Sequence, residues 1–308
     1  MKLFITGGDG YIGTYLVSSL LKKNINLRLL LNGSNIFELN NSNFIDLIYG
    51  DIRDKELLIE SVAGVDAVIH LGALVGSYNI ADNMGINYEG TKNLLAACEI
   101  NNVERFIFVS SVSAQRAVQG PYGKSKKLAE QAVIDSHLNY TIFRPTTVMG
   151  RESLGLNRII KNVNRFKYFI PMVGFGYNTR HPVYIFDFIK LIEKSINNDI
   201  TIRKVYEVGG EQVIYFRDLV NLINSKLGNQ NKLIIPIPKQ FVRLVAYFFE
   251  RIYSTPPFTR EHVNALGENT KMKNHMLEED LNYQPISLNK MLDIIIDGII
   301  KEPPSFFN

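Results

Sequence analysis

Short apolar runs alternate with helix-period segments through the first half of the chain. The runs are nearly continuous in apolar residues, as strands covered on both faces of a sheet must be. They predict strands at Leu3–Thr6, Leu27–Leu31, Phe44–Tyr49, Ala67–Leu71, Arg105–Ser110 and Thr141–Arg144. Apolar residues recurring every three or four positions predict helices between them, notably Tyr11–Lys23, Lys55–Val62, Asn87–Asn101 and Gly123–His137. This alternation predicts an α/β fold with a Rossmann-type, doubly wound parallel sheet.

The second half of the chain is less regular. Helix periodicity returns at Phe216–Leu227 and Leu288–Ile300. A length of 308 residues suits two units, since domains usually run about 100–200 residues each. We therefore predict a sheet domain over residues 1–150 and a smaller, mainly C-terminal α/β lobe over 151–308, with a segment near 201–210 returning to the sheet.

Charge and composition exclude several classes of protein. The 34 lysines and arginines exceed the 30 acidic residues by four and are scattered along the chain, so no nucleic-acid-binding face is predicted. Cys98 is the single cysteine, which excludes an internal disulfide and a cysteine-based zinc site. His70 and His181 lack metal-ligand spacing with the other histidines. We predict a structural role for each of these two residues, and no metal.

No membrane-spanning segment is predicted. The most apolar helical stretch, Phe241–Tyr253, is interrupted by Arg243, Glu250 and Arg251 and is shorter than the roughly 20 apolar residues that span a bilayer. It is typical of an amphipathic helix packed on the protein, with contact to a membrane surface as the alternative. Because Met1 leads directly into a strand without a signal-peptide pattern, we expect a cytoplasmic protein.

A glycine-rich turn joins the first predicted strand to the first helix, with the sequence Gly7-Gly8-Asp9-Gly10-Tyr11-Ile12-Gly13. Gly7 permits a tight turn, Gly10 lets the backbone approach a pyrophosphate, and Gly13 lets the helix pack close to the sheet. The pyrophosphate would bind the N–H groups at the positive end of the helix dipole. Strand, turn and helix in this order predict a dinucleotide site at Gly7, Gly10, Tyr11, Ile12 and Gly13.

The second strand leads to Asn32, where dinucleotide-binding folds often place an acid for the adenosine ribose. Asn32 can bind a 2′-hydroxyl, but no arginine stands beside it to neutralise a 2′-phosphate, and Asp9 disfavours one. The sequence therefore favours NAD, with NADP as the alternative. After the third strand, Asp51 is either an acceptor for the adenine amino group or part of the start of the next helix.

Three residues near the fifth strand form a candidate catalytic group. Tyr122 and Lys126, four apart at the start of a helix, share a helical face, which couples a proton carrier to a cation. A phenol of pKa near 10 needs about 4 kcal/mol of phenolate stabilisation to act as a base near neutral pH. Ser111 follows the strand end, where ligands of doubly wound sheets bind, and its hydroxyl suits a substrate oxygen.

The assembled motifs resemble those of the extended short-chain dehydrogenase/reductases, in the group of NAD-dependent nucleotide-sugar epimerases, dehydratases and reductases. The resemblance spans most of the chain. Its pieces are the glycine turn, Gly50-Asp51-Ile52-Arg53-Asp54, His70-Leu71-Gly72-Ala73, Asn87-Tyr88-Glu89-Gly90-Thr91-Lys92-Asn93-Leu94-Leu95, Ser110-Ser111, the Tyr122 and Lys126 helix, and Arg144-Pro145-Thr146-Thr147-Val148-Met149-Gly150.

The resemblance implies a role for each matching position. Tyr122 is expected to be the general acid/base, Lys126 to bind the nicotinamide ribose, and Ser111 to orient the substrate hydroxyl or carbonyl. Residues 1–150 are then the NAD(P)-binding domain and residues 151–308 the substrate-binding lobe. The remaining cofactor contacts implied are Asp51, Ile52, Leu71, Gly72, Ala73, Asn87, Pro145, Thr147 and Val148.

Two departures from the family pattern bear on which reaction and which substrate pocket the chain is expected to have. The 4,6-dehydratases carry an Asp-Glu pair directly after the position of Ser111, whereas here Val112 and Ser113 follow, so dehydration is disfavoured. The interval between Ser111 and Tyr122 is also short compared with UDP-galactose 4-epimerase-like members. In this respect the chain is also similar to hydroxysteroid-dehydrogenase-like and respiratory-complex-associated members.

The second half supplies candidates for substrate binding. The segment from Asn178 to Ile185 resembles the one in which sugar-nucleotide enzymes carry an arginine for the substrate diphosphate, which assigns that role to Arg180. A guanidinium offers paired donors to phosphate oxygens, although an arginine before a strand is often only solvated. Arg260 is a weaker candidate for a second phosphate contact.

These features favour an enzyme that transfers hydride at a carbinol or keto carbon of a nucleoside-diphosphate sugar, as an epimerase with retained NAD. The alternatives are an NADPH-dependent ketosugar reductase, a hydroxysteroid-dehydrogenase-like reductase, and a non-catalytic dinucleotide-binding module. Family analogy and apolar Leu128, Ala129, Ala132 and Val133 predict a homodimer built by the Tyr122 helix and the Asn87–Asn101 helix.

Overall fold

The computed structural model describes residues 1–32, 43–77, 79–253 and 258–302. The strands are β1 (Lys2–Thr6), β2 (Asn26–Leu31), β3 (Ile45–Tyr49), β4 (Ala67–His70), β5 (Arg105–Val109), β6 (Asn139–Pro145), β7 (Val148–Met149), β8 (Phe169–Val173), β9 (Thr179–Arg180), β10 (Val183–Tyr184), β11 (Lys204–Val208), β12 (Ile214–Tyr215) and β13 (Leu233–Ile237).

The α-helices are α1 (Tyr11–Leu21), α2 (Lys55–Ser61), α3 (Ile80–Asn83), α4 (Gly90–Ile100), α5 (Pro121–Asp135), α6 (Leu154–Arg165), α7 (Ile185–Ile196), α8 (Phe216–Lys226), α9 (Lys239–Ile252), α10 (Arg260–Leu266), α11 (His275–Leu281) and α12 (Leu288–Lys301). A π-helical stretch, Met84–Glu89, joins α3 to α4, and short 3₁₀ turns cover Val112–Gln115 and Asp199–Thr201.

The central sheet has seven strands in the order β11-β6-β5-β4-β1-β2-β3, and all of its pairings are parallel. Its middle strands are buried along nearly their whole length, which explains their continuous apolar sequences. The predicted doubly wound α/β fold is therefore confirmed. The register pairs Thr6 with His70 and His70 with Phe108, so β1, β4 and β5 end side by side.

Helices α2, α4 and α5 contribute to one hydrophobic core over this sheet. Phe4, Phe106 and Leu94 are fully buried in it, together with Ala129 and Val133 from α5. This burial corrects part of the predicted dimer face, because Ala129 and Val133 pack inside the chain and are unavailable to a second copy, whereas Leu128 is exposed. The apolar side of α5 faces its own sheet.

The chain contains two compact units and crosses between them several times. One comprises Met1–Pro145, Ile185–Val208 and Asn274–Tyr283, and it holds the seven-stranded sheet. The other comprises Thr146–Tyr184, Gly209–Lys273 and Gln284–Asn308.

The second unit has three two-stranded sheets, β7 with β10, β9 with β12, and β8 with β13. Beside the last of these, Ile170, Met172 and Ile234 pack with Val163 of α6 and Val220 of α8. Helices α8 and α12 correspond to the predicted helical segments of the second half of the chain. Within the described ranges, no helix is long and apolar enough to cross a bilayer.

Candidate functional site

The glycine turn after β1 is too tight for side chains at two positions. Gly7 has a φ of +68°, and a Cβ there would lie 2.7 Å from the main chain of Gly72. A Cβ at Gly13 would lie 2.0 Å from the carbonyl oxygen of Gly7. Gly10 is the N-cap of α1 and offers no side chain to its first turn, which contains Tyr11 and Ile12. Close backbone packing with an uncapped first turn is the geometry that helix N-termini use for phosphate.

Two alanine substitutions separate ligand approach from packing in this turn. Gly10→Ala is expected to keep the fold, since its Cβ would meet only Gly7 O at 3.3 Å. It is expected to weaken NADH binding at least about tenfold, because the added methyl group would keep the pyrophosphate away from the backbone. Gly13→Ala is expected to lower the free energy of unfolding by about 2–4 kcal/mol through overpacking. Urea unfolding and NADH fluorescence titration measure both effects.

Gly155→Ala is the matched control for these variants, because the nearest atom to its Cβ would be 3.6 Å away and the residue lies in helix α6. It is expected to leave NADH affinity unchanged and stability equal or slightly higher. Equal NADH affinity in the Gly10→Ala and Gly155→Ala proteins would remove the turn from the cofactor site.

The predicted contacts for adenosine lie after β2 and β3. Asn32 directly follows β2 and is exposed. The Asp51 carboxylate accepts from Arg53 Nε at 2.9 Å and from a terminal guanidinium nitrogen at 2.6 Å, and this pairing holds the pKa of Asp51 below its usual value. The N-cap of α2 is Asp54, which accepts from Leu57 N. Asp51 is therefore held by Arg53 instead of capping the helix.

Ser111 and Tyr122 come together beyond the end of β5. The Ser111 hydroxyl caps the following 3₁₀ turn by accepting from Ser113 N at 3.1 Å. Helix α5 begins at Pro121, which is favourable at the first helical position and places Tyr122 in the first turn. The Ser111 side chain lies close enough to Tyr122 to lower the pKa of its phenol. The strand end and the helix start thus bring the two predicted residues near each other.

Lys126 is fully buried one helical turn after Tyr122. Its ammonium donates to the Val109 carbonyl at 2.8 Å and lies 4.1 Å from the centre of the Phe108 ring. Burial lowers the pKa of Lys126 to about 7, and the charge of Glu130 opposes this shift. The group therefore lies close to its titration point at neutral pH.

The pKa of Tyr122 is shifted in the opposite direction. Burial raises it above the usual value for tyrosine, and the nearby Ser111 side chain lowers it in part. Tyr122 is therefore a phenol at neutral pH in this state. A nearby positive charge is needed before it can accept a proton.

His70, at the end of β4, lies in a fully buried chain of hydrogen bonds. The Thr91 hydroxyl donates to the Asn87 carbonyl at 2.7 Å, so its oxygen accepts from His70 Nε2 at 2.9 Å. The other ring nitrogen accepts from the Thr6 hydroxyl at 2.6 Å, and that oxygen in turn accepts from Gly72 N at 3.2 Å. Burial, reinforced by the charge of Lys126, lowers the pKa of His70 well below its usual value, so the ring is neutral.

Asn87 lies in the π-helical stretch and joins the segment after β4 to helix α5. Its side chain accepts from Leu74 N at 2.7 Å and donates to Ser125 Oγ at 3.0 Å. Ser125 in turn donates to the carbonyl of Tyr122 at 2.9 Å. Such π-helical turns are frequent at functional sites. Asn87 therefore ties the segment that carries Leu71, Gly72 and Ala73 to the helix that carries Tyr122 and Lys126.

The sequence motifs did not single out Thr6, Thr91 or Ser125 as part of this network. The available signal was His70 itself, because a histidine ending an apolar strand is buried and needs two partners. Its partners depend on strand register, which pairs Thr6 with His70.

The predicted contacts after β6 belong to both units. Pro145 is the last residue of β6, in the sheet unit. In the second unit, Thr147 O accepts from Val183 N at 3.1 Å, and Val148 pairs with Val183 in the β7–β10 ladder.

The two arginines predicted to bind substrate phosphate have partners within the second unit. Arg180 donates to the carbonyls of Leu266 at 2.8 Å and Glu268 at 2.7 Å, and its guanidinium lies 5.2 Å from the Phe216 ring centre. Arg260 forms an ion pair with Glu250 at 2.7 Å. These bonds fasten the 266–268 segment beside β9 and the start of α10 beside α9.

His181 is also buried in the second unit. Its Nδ1 accepts from Met272 N at 3.1 Å, which leaves Nε2 to donate to Gly210 O at 3.0 Å. In the part of the chain that the structure describes, no group of three or more His, Cys, Asp or Glu side chains is arranged to hold a metal ion.

A comparison with protein families decides the affiliation of this chain. The model of the NAD dependent epimerase/dehydratase family matches residues 3–209, about two thirds of the chain. The chain belongs to this family. The match includes the glycine turn, Ser111, Tyr122, Lys126 and Arg180, and the family resemblance inferred from the motifs is confirmed.

Proteins similar to this chain have names that describe different substrates. The 2-alkyl-3-oxoalkanoate reductase of Stenotrophomonas maltophilia is 27% identical over 262 residues, covering 74% of this chain and 76% of that protein. The N-acetyl-alpha-D-glucosaminyl-diphospho-ditrans,octacis-undecaprenol 4-epimerase of Escherichia coli is 26% identical, covering 81% of this chain and 79% of that protein. The solved structure of UDP-glucose 4-epimerase from Thermotoga maritima with UDP-glucose has a TM-score of 0.77 at 19% identity, covering 98% of this chain and 99% of that one.

The residues of the candidate site fit NAD, the dinucleotide named in the description of the family. The turn from Gly7 to Gly13 is a cradle that side chains would fill, and its helix start has no side-chain cap. Ser110 Oγ, just beyond β5, is buried without a hydrogen-bond partner among the described residues. An unpaired polar atom at the carboxyl end of the sheet lies where ligands of doubly wound folds bind.

Proposed function

We propose that this chain is an NAD-dependent epimerase that transfers hydride at a carbinol carbon of a nucleoside-diphosphate sugar, with Tyr122 as the general acid/base. The observation that supports this most strongly is the placement of Tyr122 near Ser111 and one helical turn from the buried Lys126. A protein that only bound the dinucleotide would have no need for a proton carrier, a cation and a hydroxyl in one place.

Proton transfer is the task of Tyr122 in this proposal. NAD, when bound, accepts the hydride from the carbinol carbon and returns it. The Tyr122 phenolate takes the hydroxyl proton as the carbonyl forms, and the phenol gives it back on reduction. Ser111 donates to the substrate oxygen and stabilises its developing charge. The positive charge of Lys126 counteracts the raised pKa of Tyr122, which burial alone leaves too high for a base.

Retention of NAD suits an epimerase better than a reductase. An epimerase removes hydride and returns it to the opposite face of the same carbon, so it consumes no cofactor. A reductase must exchange its cofactor at every turnover and often uses NADPH, whose 2′-phosphate needs a nearby cation. Asn32, exposed directly after β2, supplies no charge for it.

Titration of the stripped protein with NADH and NADPH, followed by nicotinamide fluorescence, tests the cofactor preference. We expect NADH to bind at least about tenfold more tightly, equivalent to about 1.4 kcal/mol. Tighter NADPH binding, with no NAD recovered from freshly purified protein, would contradict the epimerase and support the reductase.

A panel of substrates tests the reaction. UDP- and dTDP-hexoses, and a polyprenyl-diphosphate N-acetylhexosamine chosen for the Escherichia coli relative, would be incubated with the NAD-loaded protein and analysed by NMR for a C4 epimer. Formation of an epimer without net NADH production supports the proposal. NADH-dependent reduction of a keto compound alone would contradict it.

A second candidate is reduction of a keto group in a substrate that is not a sugar. The relative that favours it is the 2-alkyl-3-oxoalkanoate reductase. Reduction also needs Ser111, Tyr122 and Lys126, so these residues do not separate the two functions. Stoichiometric consumption of NADH or NADPH by a 3-oxo acid, and none with sugars, would decide for this candidate.

The quaternary structure is proposed as a homodimer through α4 and α5. With Ala129 and Val133 buried, the exposed apolar residues of these helices are Leu128 and Ile100. Leu128→Glu is therefore expected to convert the dimer to monomer, as measured by light scattering at micromolar concentration. Wild-type protein that is monomeric at that concentration would contradict the proposal.

A further inference from the structure

Helix α9 carries its apolar stripe on the outside. Phe241, Leu244, Phe248 and Ile252 have exposed fractions of 60%, 54%, 52% and 71%. Their spacing of three, four and four residues puts them within an arc of roughly 80° on one helical face. We call these four residues the α9 stripe.

The rest of α9 shows that the helix is docked on its own unit by another side. Ala246 is fully buried, and the Phe249 ring packs edge to face on Phe258 with centroids 5.2 Å apart. Helix α9 thus has packed residues on one side and large apolar side chains in water on the other. A contiguous exposed apolar stripe of this kind marks an interaction surface.

The charged residues of α9 favour an anionic lipid surface over a second copy of the chain as the partner of the stripe. Its charged residues are Lys239, Arg243, Glu250 and Arg251, and the single acid, Glu250, accepts from Arg260 Nε at 2.7 Å and from Arg260 N at 2.7 Å. Helix α9 itself therefore carries a net positive charge. Two copies meeting stripe to stripe would bring like charges together, whereas an anionic lipid surface would pair with them.

The size of α9 fixes the mode of contact. The helix has 14 residues, too few for the roughly 20 that cross a bilayer. An amphipathic helix with large aromatic and aliphatic residues on one face and arginines beside it lies in the plane of the lipid headgroups.

We propose that the α9 stripe docks this protein on an anionic bilayer surface. Phe241, Leu244, Phe248 and Ile252 enter the boundary between headgroups and acyl chains, while Arg243 and Arg251 contact lipid phosphates. This inference stands independently of the proposed function, because it rests only on the second unit.

Sedimentation of the full chain with vesicles tests the inference. Vesicles of phosphatidylcholine with about 30% phosphatidylglycerol are expected to bind the wild type at least about fivefold more strongly than pure phosphatidylcholine vesicles. Phe248→Glu/Ile252→Glu is expected to lower the binding at least about tenfold, because two charges would enter the apolar boundary. Arg243→Gln/Arg251→Gln should reduce the preference for anionic vesicles.

The matched control is Ile200→Glu/Ile300→Glu, which adds the same charge at positions that are 56% and 61% exposed elsewhere. It should sediment like the wild type, and NADH titration and circular dichroism check that each variant is folded. Wild-type protein that binds neither vesicle, or stripe and control variants that bind equally, would overturn the proposal. Loss of an oligomer in the stripe variant, without vesicle binding by the wild type, would overturn it in favour of a second copy.

Discussion

The Tyr122→Phe protein is expected to bind NADH as the wild type does and to turn over about 10²–10⁴-fold more slowly, the usual contribution of a positioned acid/base. Phenylalanine keeps the ring and removes the hydroxyl whose pKa Ser111 lowers. Steady-state rates with the substrate identified in the panel, together with NADH titration, measure both quantities.

Tyr49→Phe is the control for this variant, because Tyr49 is 60% exposed at the far edge of the sheet. It should leave turnover and NADH affinity unchanged. Near-normal turnover by Tyr122→Phe would remove Tyr122 from the mechanism.

Replacement of Lys126 by methionine is expected to reduce turnover at least about 100-fold, because it removes the charge that we propose stabilises the Tyr122 phenolate. It should also change how stability depends on pH. Burial lowers the pKa of Lys126 from 10.5 to about 7, so between these values the unfolded chain binds a proton that the folded chain does not. The wild type therefore gains up to about 1.4 kcal/mol of stability per pH unit from this group as the pH rises.

The Lys126→Met protein lacks this gain. The difference between its free energy of unfolding and that of the wild type should therefore become about 2–3 kcal/mol more unfavourable to the variant between about pH 7 and about pH 9. Urea unfolding at both pH values measures this difference. Lys127→Met, at an exposed neighbouring position, should follow the wild-type curve and keep its turnover. Parallel curves for the Lys126→Met and wild-type proteins would show that Lys126 is not held in this environment.

The seven-stranded sheet was largely predictable because its strands are buried on both faces and read as apolar runs. Strands β1, β2, β4 and β5 match the predicted runs to within a residue or two at their ends. The second unit was not predictable in this detail. Its strands β7, β9, β10 and β12 are two residues long, too short for any periodicity, and β13 contains Pro236.

The grouping of Ser111 with Tyr122 followed from one general rule, that functional side chains gather at the carboxyl ends of parallel strands. The contacts of Lys126 and of His70 did not follow from it. The bond from Lys126 to the Val109 carbonyl and the chain through His70 depend on strand register and on helix position, which no local pattern fixes.

Helix faces were the least predictable feature. Ala129 and Val133 suggested a dimer surface, and they pack into the core instead, because an apolar stripe does not tell which neighbour covers it. On α9 the sequence favoured an amphipathic helix packed on the protein, with contact to a membrane surface as the alternative. The structure buries Ala246 of this helix and leaves Phe248 and Ile252 exposed. Only tertiary packing decides whether an apolar helix face is buried in the chain's own core or left exposed.

Deuterium at C4 of the sugar substrate provides the most direct test of the hydride-transfer claim. The NAD-loaded protein would be incubated with the 4-deuterated nucleotide sugar in ordinary water, and NMR and mass spectrometry would follow the label. Because hydride is removed and returned within one site, we predict that both C4 epimers keep the deuterium and that no reduced cofactor accumulates in solution. Deuterium released into free NADH, or an epimer that carries hydrogen from water at C4, would contradict the account.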